Sequence, residues 1–496
     1  MNSRSYALDA LRGTAIVLMV LSGTIAFGIL PDWMYHAQVP PPEHIFNPDL
    51  PGITWVDLVF PFFLFSMGAA FPFSIKRKLE EGVSSAKLIG QALFRGVQLA
   101  FFAIFIQHFY PHSLSNPQDV RSWLLSLSCF ALLFPMFMRL PLKIPAWAHT
   151  AIKIATYGLA ILMLATVDYV NGKSFSLYYS NIIILVLANM AIFGSAIYIL
   201  THRHPIIRLG VIPFVLAILL SSTIEGSIPK AIYDFTPLAW LYKFNYLKYL
   251  CIVIPGTIAG EYLYNRLRKT DENTVSEATS AGDQIAKNEE SENKTTADNA
   301  VLKNGINKGY PTLLMLCSMA LIITNITLLY GRHLWTNLLI SSALLLCSYA
   351  IVSRIGNTHE QALYKKLCGF GAYLLLLGLF LEAFQGGIRK DHATFSYYFV
   401  TGGLACYALV AFHIICDYYK QYRRIGLLIW SGQNPMIAYV CTSLFTIPVL
   451  SLTGLYPLLS HLESNPMLGL CRGLLITAIA ILIATFFTKI KWFWRT

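Results

Sequence analysis

Two histidines and one aspartate carry the most chemistry in this sequence. His36 and His44 sit in residues 31–56, PDWMYHAQVPPPEHIFNPDLPGITWV, a stretch with no Lys or Arg. Asp57 follows at once and opens the apolar run DLVFPFFLFSMGAA. Imidazole near neutral pH can attack a carbonyl, relay an acyl group or take a proton, and a neighbouring carboxylate can hold its tautomer. A plainer role is open to each residue. An aspartate at the start of a helix caps it and complements its dipole, and a loop histidine is often only a loop histidine. Two further clusters flank apolar runs. In RSYALDALRG, Arg4, Asp9 and Arg12 gather at the start of the first run, with Asp9 and Arg12 three apart and so on one helix face. They form either an anchoring ion pair or a contact for an anionic ligand. In 385–403, QGGIRKDHATFSYYFVTGG, the group Arg389, Lys390, Asp391 and His392 reads as a solvated loop or as a polar wall for an external substrate. Ionisable residues within apolar runs are costly and often functional; these are Arg95, His108, Glu261, Glu382, His413 and Asp417. The sequence has no GxSxG, HExxH, P-loop or GxGxxG motif, so any catalysis must occur at or within the membrane.

The elements that position these residues are membrane helices. Of 496 residues, 56% are hydrophobic and 12% charged, about half the charge of an ordinary soluble domain, and the mean hydropathy is +0.56. The fold class is therefore all-α, a polytopic helix bundle. The predicted spans are 10–30, 53–75, 88–110, 122–138, 147–167, 178–200, 207–224, 247–265, 311–330, 336–353, 367–384, 396–417, 433–450 and 468–488, about 14 with a range of 11–14. The first run has no small-x-small cleavage site and reads as a retained span rather than a signal peptide. With both termini cytoplasmic, 26 of the 37 Lys and Arg residues fall inside, 8 outside and 3 within spans, as the positive-inside rule requires. That rule also accounts for the net charge of +12, so no nucleic-acid partner is expected. The nine cysteines form no CxxC pair and read as small buried apolar residues; no metal is expected. Residues 270–308 are polar, of mixed charge and nearly free of large apolar side chains, so they read as a disordered cytoplasmic linker. It separates a transmembrane half, 1–269, from a second, 309–496.

The polar start RSYALDALRGTAIVLMV, the tripeptide Tyr35-His36-Ala37 and the run ITWVDLVFPFFLFSMGAA together resemble the transmembrane acyltransferase family of heparan-alpha-glucosaminide N-acetyltransferase, in particular its bacterial DUF5009 group. Support comes from YLKYLCIVIPGTIAGEY (246–262), IRKDHATFSYYFVTGGLA and GQNPMIAYV. The stretch VPPPEHIFNPDLPG is an insertion relative to the animal enzyme. The resemblance implies transfer of an acetyl group from cytoplasmic acetyl-CoA to an amino sugar or glycan on the other side of a bacterial inner membrane, with the 31–56 loop periplasmic. His36 carries over as the catalytic residue, either an acetylated nucleophile or a base, with Asp57 beside it and His44 in reserve. Arg12, Lys76, Arg77 and Arg95 are the candidate cations for coenzyme A, and Trp33, Lys390 and Asn434 the candidate substrate contacts. A homodimer would be unsurprising in this family. The alternative reading is a transporter or flippase for a glycan or lipid-linked precursor, which would need mid-membrane charges and not His36.

Overall fold

A computed structural model describes residues 5–138, 141, 144–285, 309–356 and 358–494, and among them every regular element is a helix. The long helices are α1 (Tyr6–Ser22), α2 (Trp55–Glu80), α3 (Ser85–His108), α4 (Val120–Phe137), α5 (Ala146–Thr166), α6 (Ile182–Thr201) and α7 (Pro205–Leu220). They continue with α8 (Leu250–Ile285), α9 (Gly309–Tyr330), α10 (Leu334–Ser353), α11 (Thr358–Phe380), α12 (Phe395–Tyr418), α13 (Gly426–Gln433 and Pro435–Leu452, broken at Asn434) and α14 (Pro466–Lys489). Each predicted span has its helix. Eleven are long and apolar enough to cross a membrane; α1 and α7 are shorter, and α8 runs on into polar sequence.

α12 is the centre of the bundle and is buried along nearly its whole length. It packs against α1, α2, α8, α9 and α11. Bilayer helices gain little from hydrophobic exclusion, so close approach through small residues replaces it. Gly256 and Gly260 on α8 form a GxxxG face against α2. A Cβ on either would lie 2.3 Å from the carbonyl oxygen of Phe65 or Ala69 respectively. One buried ion pair reinforces this region. Arg208 of α7 is fully buried, donates to Glu261 (2.8 Å) and Thr257 (3.1 Å) of α8, and lies 4.5 Å from the centre of the Tyr198 ring.

Four details differ from the sequence reading. α1 ends at Ser22 rather than near residue 30, because Gly23 caps it and residues 26–30 wrap around the Tyr35 hydroxyl instead. α8 runs on to Ile285, into the stretch read as linker; the rest of that stretch, 286–308, and Arg4 lie outside the described residues. Arg208, one of the 26 Lys and Arg residues assigned to cytoplasmic segments, is buried inside the bundle. Cys347 and Cys471 are exposed on its outside, whereas the other seven cysteines are buried.

Replacing Gly260 by Val should force α8 away from α2, lowering stability by roughly 1–3 kcal/mol. Gly90, with open space beside it, is the control: Gly90→Val should leave the thermal midpoint in detergent unchanged, while Gly260→Val lowers it.

Candidate functional site

Asp57 is built into the first turn of α2, and its two carboxylate oxygens have different duties. Oδ2 accepts from the backbone N–H of Thr54 (2.9 Å) and of Ala37 (3.3 Å) and from the Thr54 hydroxyl (3.3 Å). Those bonds close a capping box and tie the 31–56 loop to the helix start. The Thr54 hydroxyl lies 2.7 Å from the carbonyl oxygen of Tyr35, and the buried Tyr35 ring anchors the loop through its own hydroxyl. Oδ1 is left to face His36, 3.3 Å from Nε2, and Lys390, 3.9 Å from Nζ. The side chain is 0% exposed. Tyr397, in the first turn of α12, donates its hydroxyl to the backbone carbonyl of Asp57 at 2.7 Å, joining the loop end of α2 to the central helix.

His36 is held on both sides. The backbone N–H of Gln38 donates to Nδ1 (3.1 Å), which places the ring proton on Nε2. Nε2 lies between two carboxylates, Asp57 and Asp391, the second at 2.9 Å. Neither contact is aligned as a hydrogen bond, so His36 Nε2 and Asp57 Oδ1 are buried polar atoms without a well-directed partner, at the same spot. Buried polar atoms without a directed partner are costly to a resting protein.

Asp391 arrives from 355 positions beyond His36, on the loop before α12. The insertion in the first loop docks that second loop. Gly52 N–H donates to Ile388 (2.7 Å), Arg389 pairs with Asp49 (2.9 Å), and the Gln38 amide reaches back to Leu50 (2.8 Å). Burial opposes the charge on Asp391, but the His36 contact and the Lys390 and His392 charges outweigh it and hold its carboxyl below the usual carboxylate value. Beside it lies a cavity of about 380 Å³ lined by Asn245, Lys248, Gln385, His392, Tyr398 and other residues. Burial lowers the pKa of the Lys248 ammonium, with the Asp391 charge pulling the other way.

A second cavity, of about 480 Å³, opens between α1, α2, α3, α6 and α13. Most of its lining is apolar, but Arg12 and Arg95 both face it, close enough for the charge of one to act on the other. Arg12 also donates to the carbonyls of Gly432 and Ser66 and lies 3.8 Å from Asp9. From Arg12 to Met19 the cavity follows α1 for about 10 Å toward the end of the bundle that carries His36.

The residues singled out in the sequence thus separate into groups. His36, Asp57 and Lys390 meet, and Arg12 and Arg95 share one cavity. The others stand apart. His44 packs between the rings of Phe27 and Tyr35, at 4.8 and 4.9 Å, and no carboxylate lies within ion-pair distance of it among the described residues. Trp33 is exposed on the loop. Lys76 bonds Asn265 and lies over Tyr264, and Arg77 pairs with Glu81 at an exposed turn. Asn434 is buried in the break of α13 and bonds the backbone of Trp492 and Trp494. Asp391 was legible only as part of a charged loop, and nothing in the sequence pointed to the Gln38 N–H or to Tyr397.

Comparison with known proteins adds two findings. A stretch of 104 residues is 31% identical to heparan-alpha-glucosaminide N-acetyltransferase of Mus musculus, which is 21% of this chain and 14% of that protein. The chain therefore matches a small part of the length of that relative. The sequence model of the family described as "Domain of unknown function (DUF5009)" matches residues 4–263, a little over half of the chain. This protein, with a His36–Asp57 pair at the start of its second helix, belongs to the DUF5009 family.

Proposed function

We propose that this protein is a transmembrane acyltransferase that moves an acetyl group from acetyl-CoA, taken from the cytoplasm, to the amine of an amino sugar or glycan on the periplasmic side of a bacterial inner membrane. The observation that carries this reading is His36 Nε2, buried between two carboxylates with no aligned partner. The partial likeness to a membrane N-acetyltransferase supports the reaction class. The mostly apolar cavity carrying Arg12 and Arg95 fits a donor whose anionic phosphates precede a long, weakly polar chain. The Lys248–His392 cavity beside Asp391 fits the acceptor.

The hydrogen bond at Nδ1 favours His36 as an acyl carrier over His36 as a general base. A base that gained a proton would carry N–H groups on both nitrogens, and Nδ1–H would then oppose the Gln38 N–H. An imidazole acylated on Nε2 keeps a lone pair on Nδ1, which is what the Gln38 N–H needs. In the first step Asp391 takes the Nε2 proton, which frees the in-plane lone pair with which Nε2 bonds to the thioester carbonyl carbon. The carbon–sulfur bond breaks, and the proton passes to the departing thiolate. In the second step the acceptor ammonium docks on Asp57 and Asp391 and gives up a proton to Asp391. The free amine takes the acyl group, and Nε2 regains a proton. One proton is released over the cycle.

His36→Ala should lower acetyl transfer by roughly 10²–10⁴-fold, and incubation with labelled acetyl-CoA alone should label wild type on His36 and leave the variant unlabelled. Full activity in His36→Ala would remove His36 from the reaction, and no transfer by folded wild-type protein would remove the transferase reading. Transfer lost without any labelled histidine would restore the general-base route.

Asp391→Asn should retain the fold, raise KM for the amine and lower kcat. Because its pKa is depressed, Asp391 stays ionised throughout the neutral range, and its contribution disappears only as pH falls through that lowered value. A rate limb near neutrality therefore belongs to another group and should persist in Asp391→Asn. Disappearance of that limb in the variant would assign it to Asp391 after all.

A further inference from the structure

After α14 the described residues 490–494 stay against the bundle. Lys491 takes a left-handed conformation (φ +63°) and turns the chain back, with Trp492 N–H bonded to Phe487 (2.8 Å). A lysine adopts that conformation only where its surroundings hold it. Asn434 does so: its side-chain amide donates to the Trp492 carbonyl (2.8 Å), and its Oδ1 accepts from the Trp494 N–H (3.4 Å). The break in α13 gives Asn434 this reach. Trp494 is 5% exposed and packs against Phe134, Phe130 and Phe102, with ring centres 5.0, 5.8 and 6.3 Å away. It also lines the cavity that Arg12, Arg95 and Gln433 line. Its indole Nε1–H is buried and has no hydrogen-bond acceptor. A tryptophan pays for its polar atom when buried unless an acceptor is supplied.

Resting on the reading of this cavity as the donor site, we propose that the segment 490–494 is a wall of that site and that Trp494 is a binding residue for the donor, giving its indole N–H to an oxygen acceptor on the donor's amide-bearing chain. Asn434 is a positioning residue that holds the segment in place. The arginines attract the phosphates from one part of the cavity, and Trp494 contributes a flat apolar surface and one directed hydrogen bond.

The test is direct binding of coenzyme A to the full-length protein in detergent by calorimetry, with four proteins compared. Trp494→Phe keeps the ring and removes the N–H. It should bind coenzyme A about 5–10-fold more weakly, as expected for one lost hydrogen bond, raising KM for the donor while leaving KM for the amine unchanged. Asn434→Ala should weaken binding in the same direction without altering the ring. Arg95→Gln tests the cavity itself. In wild type, amide hydrogen exchange over 490–494 should slow when coenzyme A is added, a measurement that needs no variant to fold. Wild-type affinity in Trp494→Phe and Asn434→Ala, with weakened binding in Arg95→Gln, would overturn the role of the segment and leave the donor cavity standing. Unchanged affinity in Arg95→Gln would instead remove the cavity as the donor site. Exchange over 490–494 that ignores coenzyme A would also overturn the proposal.

Discussion

The split duty of the Asp57 carboxylate is the constraint on which the loop end of this protein depends. One oxygen is consumed by the helix start and by Ala37; the other is withheld from those donors and turned to His36. A buried carboxylate is expensive unless its charge is balanced. Here the balance comes from N–H groups and the dipole of α2 on one side, and from His36 and Lys390 on the other. The same carboxylate that ends a loop and begins a helix therefore also faces an imidazole, so capping the helix and meeting His36 fall to one side chain.

The rest of the bundle serves to keep two distant loops in register. His36 comes from the first loop and Asp391 from the loop before α12, and they meet because the insertion between Val39 and Gly52 clamps the second loop. Tyr397 then couples the backbone of Asp57 to the most buried helix of the protein. That helix cannot shift without disturbing α1, α2 and α8, whose contacts with their neighbours are set by backbone-to-backbone approach rather than by deformable side chains. Rigidity of the scaffold is thereby passed to a site made almost wholly of loop residues, as precise positioning requires.

The two cavities divide the chemistry by polarity. The one near Asp391 is bordered by Asn245, Gln385, Lys248 and His392, suited to a hydroxylated ligand. The one with Arg12 and Arg95 is mostly apolar with two guanidinium groups, suited to a long anionic ligand. In the proposed transfer the polar cavity takes the acceptor and the mostly apolar one the donor.

Much of this was legible in the sequence. Apolar runs separated by charged loops determined the all-helical class and the order of the helices, because a bilayer tolerates little else. His36 and Asp57 stood out because a polar loop and an acid at a helix start are local features. Contacts between remote segments were not legible. Asp391 lies 355 positions from His36, the Gln38 N–H is a backbone group that any residue except proline supplies, and Asn434, read as a substrate contact, bonds Trp492 and Trp494 after α14. Helix positions follow from the transfer of each segment out of water, which composition alone sets. Which side chains meet follows from the packing of all the helices together, and that is a property only the tertiary structure decides.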